Sequence, residues 1–180
     1  MATYNFSDLL QIVADTVPDR TALVHGAVEL TYRELSQFAD RIARVLVAKG
    51  VEANDNVGLQ LTNSPEYLAA FFGACRIGAV PFNVNYRYSS AELSYLYEDS
   101  QVKALLFDSE FSDDVKAACK QGSTPEVLLE VGGARLGENL TEILESVLPD
   151  IDAVRHDNDQ IIIYTGGTTG YPKGVIWPHK

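Results

Sequence analysis

Residues 56–84 read NVGLQLTNSPEYLAAFFGACRIGAVPFNV. The run NVGLQL has the composition of a short buried strand. Ser64 follows as a helix N-cap, with Pro65 at the first helical position. There its missing N–H costs nothing, because the first turn has no intrahelical acceptor for it. The helix PEYLAAFFGACRIG is apolar nearly all round, which predicts deep burial. AVPFNV then reads as a second strand. A strand, a helix and a strand in succession make a crossover unit, and such units pair their strands in parallel.

The same alternation continues on both sides. Upstream, NFSDLLQIVADTV predicts a helix with Phe6, Leu9, Leu10, Val13 and Val17 on one face. TALVHG and VEL read as two short strands around Gly26. In LTYREL, Thr31 and Glu34 form a capping box, with Leu30 and Leu35 placed to staple the helix start. The stripe Leu35, Phe38, Ala39, Ile42 and Leu46 then faces the core, and Gly50 ends the helix. Downstream, Ser89 and Glu92 repeat the capping device. VKALLFDS, SDDVKAACKQG, PEVLLEV and NLTEILESVL alternate strand with helix, the last with Leu140, Ile143, Leu144, Val147 and Leu148 inward. The fold class is α/β, a mostly parallel sheet flanked by helices. Residues 1–150 form a first α/β subdomain, 151–160 a polar linker, and 161–180 a strand, a loop and a strand.

Composition bounds the partners. The formal net charge of −11 over 180 residues disfavours nucleic acid or an anionic membrane surface, since either needs a basic face. The densest apolar run, YLAAFFGAC, is too short to span a bilayer, so no integral membrane segment is expected. The start lacks a basic region leading into a long apolar stretch, so no secretory signal is read. Cys75 and Cys119 carry no metal-ligand spacing and are read as free thiols in a reducing, cytoplasmic setting.

The chemistry sits near the end, in YTGGTTGYPKGV at 164–175. Glycine lets main-chain N–H groups approach an anion without a Cβ in the way. Threonine hydroxyls add donors of adjustable direction, and lysine adds a mobile positive charge. A plain hairpin turn needs only two to five residues, and this loop is longer and richer in donors. The spacing excludes a Walker-type loop, because Lys173 follows Pro172, precedes Gly174, and leads into the strand-like KGVIW. The fingerprint G-x-G-x-x-G cannot be placed on these glycines either. Trp177 alternates with Val175 and is read as core, while His25 and His156 are read as surface or loop residues.

This run resembles the signature loop of the adenylate-forming superfamily, which includes acyl-CoA synthetases, aryl-CoA ligases, luciferases and peptide-synthetase adenylation domains. The usual form is Tyr-Thr-Ser-Gly-Thr-Thr-Gly-x-Pro-Lys-Gly-Val, and the one departure is Gly166 in place of serine. LTYREL at 30–35 and CRIGAVPFNVNYR at 75–87 resemble two further family stretches and occur in the family's order. The resemblance implies activation of a carboxylic acid by ATP with Mg²⁺, giving acyl-AMP and pyrophosphate, then transfer of the acyl group to coenzyme A. It implies that Thr165, Gly166, Gly167, Thr168, Thr169, Gly170 and Lys173 contact ATP. It assigns no catalytic residue and no metal ligand within this chain. His179 falls where many family members carry a histidine, and is read as capping the strand end or opening a helix.

The bacterial synthetases of fatty acids and sterol side chains are the most similar branch; aryl-CoA ligase and luciferase-like readings, or a non-catalytic nucleotide- or acyl-binding remnant, are the alternatives. Family enzymes are much longer. The resemblance therefore identifies an N-terminal part of an AMP-binding domain, inactive without its C-terminal remainder, where the adenine, ribose, acyl and CoA contacts lie.

Overall fold

The computed structural model describes residues 4–151, 155–165 and 171–180. Helix α1 (Phe6–Thr16) is capped by Asn5, whose side-chain oxygen accepts from the Ser7 and Asp8 N–H groups while Asp8 accepts in return from the Asn5 N–H. Strands β1 (Thr21–His25) and β2 (Val28–Thr31) pair antiparallel across Gly26. Helix α2 (Tyr32–Ala48) starts with the expected Thr31/Glu34 capping box. It stops before Gly50, whose φ of +78° belongs to the left-handed region that glycine enters at little cost.

The crossover unit is as the sequence implies. Strand β3 (Asn56–Gln60) leads into α3 (Pro65–Arg76), with Ser64 accepting from the Tyr67 N–H, and then into β4 (Val80–Asn83). Helix α4 (Ser90–Asp99), β5 (Ala104–Asp108), α5 (Ser112–Cys119), β6 (Val127–Val131), β7 (Glu138–Asn139) and α6 (Leu140–Leu144) follow. Strands β8 (Gln160–Thr165) and β9 (Lys173–Pro178) come last.

Among the described residues seven strands form one sheet in the order β7-β6-β5-β3-β4-β8-β9, parallel throughout except for the β8/β9 pair. Helices cover both faces. On one side Leu10, Ile42, Leu46, Ala69 and Ala70 pack with Val57, Leu59, Leu106 and Leu129. On the other, Leu93, Leu96 and Tyr97 of α4 and Val115 and Ala118 of α5 pack with Phe82, Leu105 and Phe107. Neighbours along β5 thus feed opposite cores, which is why a doubly covered strand reads as an unbroken apolar run. The chain steps from β3 to β4 on one side, then crosses back to place β5 on the other. Such a reversal leaves a crevice at the carboxyl ends of the strands.

Two expectations fail locally. Leu9 is 49% exposed; the buried face of α1 is formed by Ser7, Leu10 and Ala14. The helix is turned so that Ser7 and Gln11 reach the Arg76 guanidinium, and hydrogen bonding rather than apolar content sets its rotation. The last helix ends at Leu144, so the helical stripe predicted through Leu148 breaks off. Val147 stands fully in solvent, whereas Leu148 still packs on the core.

Gly73 lies where α3 meets α2. A Cβ there would sit 2.9 Å from the Ala39 carbonyl oxygen and 3.2 Å from the Ala43 nitrogen, both backbone atoms. Gly73→Ala must push the helices apart. It is expected to cost about 1–3 kcal/mol, the usual range for overpacking, read as a lower urea midpoint at unchanged slope. A midpoint equal to that of the parent chain would show that the crossing has slack.

Candidate functional site

The loop-bearing hairpin extends the sheet beyond β4. Because β8 runs parallel to β4, its last residue, Thr165, emerges at the carboxyl end of the sheet. Thr165 pairs with Lys173 in the last rung of the hairpin, so these two residues form the mouth of the connecting segment. Both are exposed. Gly166, Gly167, Thr168, Thr169 and Gly170 lie outside the described residues. At the mouth the available groups are one hydroxyl and one ammonium, a donor set that suits an anion. As the spacing implies, Lys173 opens strand β9 and not a helix, so no helix dipole contributes here.

The stems of the segment are held from α4. The Tyr164 hydroxyl donates to Asp99 Oδ2 at 2.8 Å, and its ring lies 5.6 Å from that of Phe82. Burial first, then the Asp99 carboxylate, push the Tyr164 phenol up from its ordinary pKa, so it stays a donor. Tyr171 stacks on Tyr95, centroids 4.5 Å apart, and Pro172 beside it is buried. Across the hairpin Gly174 faces Tyr164, and a Cβ there would come within 3.0 Å of the ring. Sequence reasoning missed Tyr95 and Asp99. Their spacing of four on one helix was the only local sign, and it is met by the Tyr95 hydroxyl donating to Asp99 Oδ1 at 3.3 Å.

Trp177 corrects an expectation. It does alternate with Val175, but both are exposed, at 55% and 45%, with Ile163 on the same face. Among the described residues β9 pairs only with β8, and neither Val175 nor Trp177 joins a hydrophobic core.

His179 ties the strand end to the start of the chain. Its Nδ1 accepts from the Phe6 N–H at 3.2 Å and its ring packs on Phe6 at 4.4 Å. That contact fixes the tautomer with the proton on Nε2, which is buried. Nearby, Asn5 Nδ2 donates to Asp159 and to the Cys75 carbonyl, and Arg155 pairs with Asp8 at 2.8 Å. His179 therefore caps the first N–H of helix α1, where the expectation was a cap on its own strand end or the opening of a further helix.

A second concavity, of about 760 Å³, is lined by Arg33, Arg41, Arg44, Arg76, Asp40 and neighbouring polar residues. Its arginines are largely neutralised: Arg44 pairs with Asp40 and Asp150, Arg76 with Asp40, and Arg33 with Asp19. Asp40 thereby links α2 to α3 through Arg76. Among the described residues no helix is long and apolar enough to cross a membrane.

The family model of the AMP-binding enzymes matches residues 10–180. A medium/long-chain-fatty-acid–CoA/3-oxocholest-4-en-26-oate–CoA ligase of Mycolicibacterium smegmatis is 39% identical over 98% of this chain and 33% of its own length. An anthranilate–CoA ligase, AuaEII, solved with anthranoyl-AMP superposes at a TM-score of 0.91 with 25% identity, over 98% of this chain and 35% of its own. The inhibitor-bound N-terminal domain of FACL13 from Mycobacterium tuberculosis gives 0.84 and 31%, over 97% and 44%. The chain spans about a third of the length of the curated relatives it matches.

The His179 contact has a pH signature. Burial holds its folded-state pKa below the ordinary 6.5, against a smaller opposing pull from Asp159 and Asp8. The unfolded chain therefore takes up the proton first, and the stabilisation is complete above about pH 6.5 and fades as pH falls below it. The stability advantage of the parent chain over His179→Gln, from paired urea titrations, should shrink on going from neutral to mildly acidic buffer. An advantage that grows on acidification would refute this sign.

Proposed function

The chain belongs to the AMP-binding enzyme family, and we propose that it supplies the phosphate-holding part of an ATP-dependent acid–CoA ligase. The reaction class is acid activation. A carboxylate oxygen attacks the α-phosphorus of ATP, pyrophosphate leaves, and the resulting acyl-AMP passes its acyl group to the thiol of coenzyme A with release of AMP. The acid we propose is a fatty acid or a sterol side-chain acid, by similarity to the mycolicibacterial ligase. A soluble protein of the cytoplasm suits two free cysteines, Cys75 and Cys119.

The observation that carries this reading is the Thr165–Lys173 rung at the carboxyl end of a parallel sheet, the usual address of ligands in open α/β folds. Thr165, Gly166, Gly167, Thr168, Thr169, Gly170 and Lys173 would hold the β- and γ-phosphates through N–H groups, hydroxyls and one ammonium. Charge that builds on the departing pyrophosphate would meet donors already in place, so little reorganisation is needed as the bond breaks. Gly166 offers only its N–H where the family carries a serine hydroxyl. Mg²⁺ would ride on the phosphate oxygens, neutralising charge that one lysine cannot.

With phosphate contacts alone, the 180-residue chain should bind ATP with a dissociation constant on the order of 1 mM, or about 4 kcal/mol. Titration followed by ³¹P NMR should show the β- and γ-phosphorus signals moving most. Lys173→Met should weaken binding about tenfold, the loss of one charge-assisted contact. Binding that survives Lys173→Met unchanged, or shifts confined to the adenine, would refute the assignment.

A further inference from the structure

We propose that Tyr95 and Asp99 of α4 are positioning residues for the phosphate segment, fixing both of its stems on one rigid helix. The inference rests on the phosphate-holding role proposed above. On the entering side, Tyr164 donates to Asp99 Oδ2 at 2.8 Å. On the leaving side, Tyr171 stacks on Tyr95 at 4.5 Å with 24° between the ring planes. The two anchors are themselves joined, because the Tyr95 hydroxyl donates to Asp99 Oδ1. One carboxylate and one ring thus reach both ends of the 166–170 segment.

The platform beneath them is built to stay put. Ser89 and Glu92 cap α4 with a full capping box. Leu93, Leu96 and Tyr97 are fully buried on its inner face, and the Tyr97 hydroxyl donates to Gln60 in the central strand at 2.9 Å. Gly174 supplies an independent sign of the same design. Its missing side chain is the space that the Tyr164 ring and Ile162 occupy, so the residue opposite Tyr164 is one that leaves the phenol free to reach Asp99. Asp99 has no basic partner among the described residues within ion-pair distance; the partners it has are the two tyrosine hydroxyls.

Phosphate recognition by backbone N–H groups is sensitive to this kind of support, since a misplacement on the order of 1 Å can cost about a hundredfold in function. Tyr95 acts through Tyr171 and Asp99 through Tyr164, the residues each contacts on the two stems.

The test uses the 180-residue chain with inorganic pyrophosphate as probe, together with trypsin cleavage after Lys173. Tyr95→Ala and Asp99→Ala should weaken pyrophosphate binding about tenfold and speed cleavage after Lys173, with the urea midpoint little changed. Tyr95→Phe keeps the stack and should restore both readouts, which a general loss of stability would not do. Faster cleavage in Tyr95→Ala that Tyr95→Phe reverses supports the clamp whether or not pyrophosphate binds. Cleavage and affinity both unchanged in Tyr95→Ala and Asp99→Ala overturn it. Failure of the parent chain to bind pyrophosphate overturns the phosphate-holding reading instead, and the cleavage comparison then decides on the clamp alone.

Discussion

A single buried cation organises one whole layer of this molecule. Arg76, at the end of α3, is nearly inaccessible, and a guanidinium cannot shed its charge at any ordinary pH. Burying it is tolerable only if its donors are met. All five are: Nε by Ser7, Nη1 by the Ser36 carbonyl and Asp40, Nη2 by Gln11 and the Ser36 hydroxyl. Desolvation still pulls its pKa down and Asp40 pulls it back, which is the electrostatic form of the same balance. The consequence is geometric. Helices α1 and α2 must present those acceptors at one point, and this fixes how both lie on α3 and hence on the sheet. The close α2–α3 crossing at Gly73, one turn earlier, is what lets the guanidinium reach α2 at all.

With that layer in place, the position of the loop follows from the path of the chain. Strand β3 has β4 on one side and β5 on the other, so the sheet grows in two directions from it. β8 adds next to β4 in the same direction, through the pair Phe82–Ile162, and brings Thr165 to the carboxyl edge. Residues around 155–159 help hold this addition. Arg155 pairs with Asp8, and Asp159 accepts from Asn5, so the stretch before β8 is tied back to the N-cap of α1. His179 makes the matching tie from the far end of β9.

What was legible in the sequence was local. The capping boxes at Thr31 and Ser89, the Ser64–Pro65 helix start and the strand–helix alternation each depend on residues within a few positions of one another. So does the donor-rich run at 164–175. What was not legible depends on partners far along the chain. Leu9 looked like core until Ser7 and Gln11 were claimed by Arg76, some seventy residues away. Trp177 has the alternation of a core strand, but burial needs a covering layer, and periodicity says nothing of whether one is there. Tyr95 and Asp99 carried no local signal beyond their spacing of four on one helix. Their contacts with Tyr171 and Tyr164 span roughly seventy positions, and no short pattern encodes them.

That last point bears on how the phosphate segment proposed above would work with a strand and not a helix after it. In a Walker-type loop the following helix both aims its N–H groups and fixes the loop's exit. Here the exit is strand β9, which contributes no dipole and is paired on one side. Two substitutes remain. On the phosphate-holding reading, charge comes from donors on the segment itself and from Lys173 opposite Thr165, in a chain whose net charge is −11. Rigidity must come from outside the hairpin, and α4 is the element in contact with both stems. The carboxylate in this clamp is itself anionic and, on the phosphate-holding reading proposed above, stands beside the stem of an anion site. Its two oxygens accept from the Tyr95 and Tyr164 hydroxyls, both phenols with a raised pKa and so held as donors. In the proposed clamp Asp99 acts through these two hydroxyls, and the charge it keeps must be outweighed by Lys173 and the donors of the segment.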